Sequence, residues 1–221
     1  YLLNAVNAMT DADLTVDDVV GTWAGLRPLV TPTDTGRTAD LSRHHVVEGD
    51  GTGVVTVTGG KLTTYRRMAA EAVDAVLAHR GESRRCRTRR LRLRGAGSRA
   101  DAGVQGRPGP HLAGRYGSEA GEVSALVNED ATLAEPLVHG LAYCRAEAAY
   151  AVRYEMAQTL DDVLSRRTRA RLEDSAATLE AVGLVADLVG REAGWSSQRR
   201  QAEIDAFEAL VAAEDEARQG S

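Results

Sequence analysis

Apolar positions recur at two different spacings along the chain, and they divide it into a mixed first part and a helical second part. Tyr1–Met9 puts Leu2, Leu3, Val6 and Met9 on one face, which predicts a short helix. Thr15 followed by Asp18 has capping-box spacing and predicts a brief helical turn. A strand-like apolar run through Trp23 ends at Arg27 and Pro28, and Thr31–Thr38 reads as a polar loop. Val46–Val47 and Val54–Val57 flank Asp50-Gly51-Thr52-Gly53, which predicts a β-hairpin. A long helix is predicted from about Leu62 to His79, with Leu62, Tyr65, Ala69, Val73, Val76 and Leu77 facing inward.

Gly81–Pro110 interrupts the periodicity with glycine, proline and a run of arginines from Arg84 to Arg107. It predicts a solvated linker in which Leu91 and Leu93 could add a short strand. A patch for anionic lipid or nucleic acid is the competing reading, and the lack of interleaved aromatics weighs against base stacking. From His111 the period is helical. Ser118–Val127 is a short helix, and Arg145–Thr159 is another, with Ala149, Val152 and Met156 at helical spacing. Thr159 with Asp162 is a second capping box, followed by Arg166, Arg167 and Arg169. Ser175–Arg191 and Ser196–Arg218 are amphipathic, the latter with an Ile204, Phe207, Leu210, Val211 stripe.

The expected fold class is α+β: a hairpin, strands and a long helix, then an all-α domain. The expected division is 1–80, a basic linker over 81–110, and a helical domain over 111–221. At 221 residues the chain can bury a core and hold two structural units. A net charge of −5 gives no overall signal for nucleic acid. Cys86 and Cys144 do not form a disulfide framework, and a reducing compartment fits them. The five histidines lack metal-ligand spacing, so no metal is expected. His44 and His45 are neighbours on a predicted strand, would face opposite sides, and read as structural or peripheral. Neither a signal segment nor a membrane-length apolar run is expected.

Chemistry concentrates in VVTVTGGKLTTYRR, Val54–Arg67. A strand, a double glycine, a lysine and a helix follow one another directly. Gly59 and Gly60 permit a sharp bend and a close approach by a ligand. The helix start turns free N–H groups and a positive dipole end toward that bend, and Lys61 adds a mobile charge. Such a site suits an anion, or a group that becomes anionic. The spacing is neither a Walker loop nor a dinucleotide fingerprint. Arg27 and Arg43, each beside a predicted strand end, could converge with Lys61 on a small dianion. Glu147, Arg153, Glu155, Asp161, Asp162, Arg166 and Arg167 read as structural ion pairs.

These residues carry a resemblance. YLLNAVN at Tyr1–Asn7, GLRPL at Gly25–Leu29, SRHHVVE at Ser42–Glu48 and GGKLTTYRRMA at Gly59–Ala69 are similar to the carboxy-terminal part of FAD-dependent, quinone-linked glycerol-3-phosphate dehydrogenase. RYGSEA at Arg115–Ala120, AEPL at Ala134–Leu137 and RAEAAYAVRYEMAQTLDDVLSRRTR at Arg145–Arg169 extend the likeness over nearly the whole chain. The family's GxGxxG segment, which holds the ADP half of FAD, has no counterpart here. The chain is therefore expected to be a fragment, inactive without that N-terminal FAD-binding half.

The resemblance implies oxidation of glycerol 3-phosphate to dihydroxyacetone phosphate, with hydride passing to FAD and electrons to quinone. It implies cofactor contacts at Gly59, Gly60, Lys61, Leu62, Thr63 and Thr64. Arg27, Arg43 and Lys61 are implied as substrate-binding, with Arg27 and Lys61 nearest the chemistry. A homodimeric parent is implied, located in the cytoplasm with peripheral contact at the inner face of the membrane, and the ion pairs of Glu147–Arg167 are implied to lie between domains or subunits. Two other readings stand beside it. One is a non-catalytic helical interaction module on the same scaffold. The other is a flavin oxidase of small amino acids, which would not need the appended Arg145–Arg169 segment.

Overall fold

The computed structural model describes residues 1–20, 25, 45–96 and 109–219. The chain divides into two compact units: Ala24–Leu93, and Tyr1–Trp23 together with Arg94–Ser221.

In the smaller unit, β1 (His45–Gly49) and β2 (Val55–Gly59) form the expected antiparallel hairpin. His45 stands opposite Gly59, and Val47 opposite Val57. The Asp50 carboxylate accepts from the Thr52 amide at 2.8 Å and the Thr52 hydroxyl at 2.7 Å. Those bonds set the turn, while Gly51 and Gly53 supply positive φ at 77° and 101°. A 3-10 turn, Leu62–Thr64, then leads into a fifteen-residue helix at Tyr65–His79. This helix takes the label α2, because Leu2–Asn7 forms α1 in the other unit.

No described residue of this unit is buried. That corrects most of the expected inward face of α2: Leu62 is 86% exposed, Tyr65, Ala69, Val73 and Val76 are exposed as well, and only Leu77 of that set is half-buried. Met68, Glu71, Ala72 and Ala75 are half-buried with it. The physical reason is that one hairpin covers only one side of a helix. An apolar pattern that wraps most of the circumference cannot show which side that is. Leu91 and Leu93 form no strand; a 3-10 turn at Thr88–Arg90 precedes Leu91, and both leucines are exposed.

The larger unit holds the whole described core. After α1, Thr15 and Asp18 form the expected box around a 3-10 turn, the Asp18 carboxylate accepting from the Thr15 amide at 2.7 Å. Further along come α3 (Gly109–Tyr116), α4 (Ala120–Glu129), α5 (Arg145–Tyr154), a π-helical turn at Asp162–Arg167, α6 (Ala170–Glu173), α7 (Ser175–Ala193) and α8 (Ser197–Gln219). Leu112, Val123, Leu126, Leu160, Leu164, Val185 and Val189 are fully enclosed, and α8 adds Phe207 and Val211. Asp174 caps α7 by accepting from the Ala177 amide at 2.9 Å, and Gly194 ends that helix at φ 67°.

Two expectations for this unit are corrected. Helix α5 stops at Tyr154 rather than running to Thr159. Met156 takes a left-handed φ of 61° and is 81% exposed. The Ala157 amide turns back to the Ala151 carbonyl at 3.0 Å, and the Arg167 guanidinium donates twice to the Glu155 carbonyl, at 3.1 and 2.7 Å. Those bonds satisfy groups that a continuing helix would have used. The ion pairs expected between domains or subunits close inside this unit. Arg153 reaches Glu192 at 2.6 Å and Glu129 at 3.1 Å, and Arg166 reaches Asp161 at 2.5 Å and Asp162 at 3.1 Å. Their partners stand one helical turn away or on neighbouring helices, so nothing outside the unit is needed.

Candidate functional site

The double glycine sits where β2 ends. Gly59 and Gly60 have φ of 77° and 83°, a region that favours glycine. Lys61 is extended, at φ −136° and ψ 153°. The 3-10 turn then closes on Lys61, whose carbonyl accepts from both the amide and the hydroxyl of Thr64 at 3.0 Å. The first amides of a helical start have no partner within it. Here they stand beside the side chains of Lys61, Leu62, Thr63 and Thr64, all exposed. Fifteen residues of α2 align their dipoles behind this turn. The arrangement is a donor-lined, electropositive bend that can hold an anion or an electron-rich ring edge.

The bend is also braced from behind. A side chain at Gly60 would put its Cβ 2.7 Å from the Met68 sulfur and 3.1 Å from the His45 Cβ. The Met68 end can swing aside; the His45 Cβ is fixed to its strand. His45 Nε2 lies 2.6 Å from Glu71 Oε2, and Glu71 Oε1 accepts from Arg67 Nε at 2.6 Å. Hydrogen bonds from Arg67 and then His45 hold the Glu71 carboxyl below its ordinary range. His45 thus ties β1 to α2 beside the double glycine, which is the structural one of its two expected roles. Glu71 was not foreseen. Its spacing of four from Arg67 was the available signal.

Gly59, Gly60, Lys61, Leu62, Thr63 and Thr64 therefore run without interruption from the end of β2 through the 3-10 turn. Arg27, Arg43 and His44 lie outside the described residues.

The helical unit contains a second polar centre, around Glu147, which is completely buried. It accepts from Tyr116 Oη at 3.2 Å and from the Cys144 amide at 2.8 Å. His111 Nε2 lies 3.0 Å away and Arg115 Nε 3.2 Å away. A buried carboxylate needs such company. Burial, reinforced by Glu147, pushes the Cys144 thiol up to about 11, so it is not a nucleophile at neutral pH. Among the described residues no cluster could hold a metal ion, and no helix is long and apolar enough to cross a membrane.

Comparison with known proteins follows these features. Residues 86–200 match the C-terminal domain of alpha-glycerophosphate oxidase. The chain is 35% identical to the mitochondrial glycerol-3-phosphate dehydrogenase of Mesocricetus auratus, covering 93% of the chain and 30% of that protein. It is 41% identical to glycerol-3-phosphate dehydrogenase 1 of Mycobacterium tuberculosis, covering 78% of the chain and 34% of that protein. A solved glycerol-3-phosphate dehydrogenase from Bacillus halodurans, complexed with FAD, superposes with a TM-score of 0.72 at 27% identity. That match covers 96% of the chain and 43% of the solved one. The chain spans about a third of the length of the curated relatives it matches.

Proposed function

Because the chain belongs to the family of the C-terminal domain of alpha-glycerophosphate oxidase, we propose that it is the carboxy-terminal part of an FAD-dependent glycerol-3-phosphate dehydrogenase. The reaction in this reading is oxidation of sn-glycerol 3-phosphate to dihydroxyacetone phosphate, with quinone as the final electron acceptor. The observation that carries it is the bend at Gly59–Gly60, both at positive φ, directly before a helix start whose side chains are exposed.

The residues present fit FAD. Bound FAD would supply the hydride acceptor. The amides at the start of the Leu62–Thr64 turn would face negative charge where it develops, and the dipoles of α2 would reinforce them. Lys61 adds a full positive charge on a flexible stem and can serve either cofactor or phosphate. Met68, His45 and Glu71 hold the bend in place, so the donors need little reorganisation. Arg43 is assigned to the substrate phosphate and Arg27 to the neighbourhood of the reacting hydroxyl. A homodimeric parent, located in the cytoplasm with peripheral contact at the inner face of the membrane, belongs to the same proposal.

The test is a chimaera in which this chain replaces the matching segment of the Mycobacterium tuberculosis relative. Retention of flavin and dye reduction dependent on glycerol 3-phosphate are expected. Arg43→Ala in that chimaera should raise KM for glycerol 3-phosphate by roughly tenfold to a hundredfold, the loss of one charge-assisted contact. An unchanged KM would remove Arg43 from the phosphate site. The second reading, a helical interaction module, draws its support from the burial pattern, because every buried described residue lies in the helical unit. It predicts a chimaera without flavin.

A further inference from the structure

The sequence Arg166-Arg167-Thr168-Arg169 takes no part in the proposed oxidation, although Arg166 and Arg167 bond to neighbouring residues of the helical unit. It closes the π-helical turn at Asp162–Arg167, a distortion often found where side chains are aimed for function. Arg169 follows in a left-handed conformation, φ 66° and ψ 15°, which is costly for a residue with a Cβ. Its side chain is exposed, and no described residue pairs with it. Together with Pro110, His111, Gly114, Arg115 and Arg166 it lines an open concavity of 580 Å3.

Among the described residues no carboxylate lines this hollow. Three of its basic residues, His111, Arg115 and Arg166, already face acids of their own from behind or from the side, and Arg169 is the one with no such partner among the described residues. Glu147 lies buried beneath His111 and Arg115, and Asp161 and Asp162 hold Arg166 from the side. Arg115 is fixed in addition by donating to the Arg167 carbonyl and by lying over the Tyr143 ring, 5.1 Å from its centre. Pro110 and His111 are shared with an adjoining hollow of 460 Å3, whose wall continues through Pro136, Leu141, Ala142 and Tyr143. A cationic hollow thus opens beside a mainly apolar one.

We propose that these joined hollows bind a phosphate monoester, with its phosphate at Arg115, Arg166 and Arg169 and an apolar alcohol portion against Pro136, Leu141 and Ala142. Guanidinium forks match phosphate oxygens in geometry, and a preset Arg115 loses little freedom on binding. This site belongs to the helical unit and is independent of the bend at Gly59–Lys61.

The strained backbone at Arg169 supplies a clean test. Glycine accepts φ 66° without strain, so Arg169→Gly removes the guanidinium while keeping the fold, and its Tm should not fall. The full chain is titrated with inorganic phosphate and with phenyl phosphate at constant ionic strength, and arginine side-chain and His111 resonances are followed by NMR. Saturable shifts at Arg115, Arg169 and His111 are expected, with phenyl phosphate binding at least fivefold more tightly. Arg169→Gly should weaken both probes by about tenfold or more, and Arg169→Lys should recover part of the loss. Equal affinity for the two probes would overturn the apolar half of the site. Non-saturating drift, or a Kd unchanged in Arg169→Gly, would overturn the whole.

Discussion

Gly60 is held by its backbone more firmly than by the space around it. Its φ of 83° is closed to most side chains, while the nearest obstacle to a Cβ is the movable end of Met68. Gly60→Ala should therefore cost about 1–2 kcal/mol of local stability, read as roughly tenfold faster hydrogen exchange in the first turns of α2. An unchanged rate would show that the bend relaxes freely. Asp162 supplies a pH test. Burial works against its charge, but the Gln158 and Thr159 amides, the Thr159 hydroxyl and Arg166 together hold its carboxyl below the ordinary range. With the folded value depressed, its contribution is present above the unfolded value, about 3.9, and is lost as pH falls through the folded value. Asp162→Asn should lower stability at pH 7 and flatten the loss of stability on acidification below about pH 4. A mutant that follows the parent's acid limb unchanged would contradict this role.

At the scale of elements, punctuation was more legible than orientation. The Asp50–Gly53 turn, the boxes at Thr15–Asp18 and Thr159–Asp162, and the apolar stripe of α8 could all be read from side-chain chemistry, because each acts within a few residues. The end of α5 could not. Met156 continues the helical period, and what stops the helix is a left-handed residue and a guanidinium from a segment eleven residues further on. The covered face of α2 was missed for a similar reason: which stripe meets the hairpin depends on His45, Met68 and Glu71 meeting in space. The candidate bend was legible because glycine, lysine and a helix start are contiguous. The stripe of α8 gives a direct check. Phe207 is 2% exposed in the core, and Phe207→Ala should cost about 3–5 kcal/mol in urea unfolding. A loss under about 1 kcal/mol would mean that α8 is not anchored there.

On the scale of the whole molecule, stability and proposed chemistry lie in different units. Every buried described residue belongs to the unit with the helices, whereas the Gly59–Lys61 bend belongs to the unit that buries none. Native-state hydrogen exchange of the isolated chain should show strong protection in α5 and α7 and weak protection in α2. Equal protection would contradict this division. The most direct test of the central claim is anaerobic flavin absorbance in the chimaera with the mycobacterial relative. The account predicts that glycerol 3-phosphate bleaches the flavin band and that glycerol does not. A chimaera that holds flavin but stays yellow with glycerol 3-phosphate would contradict it.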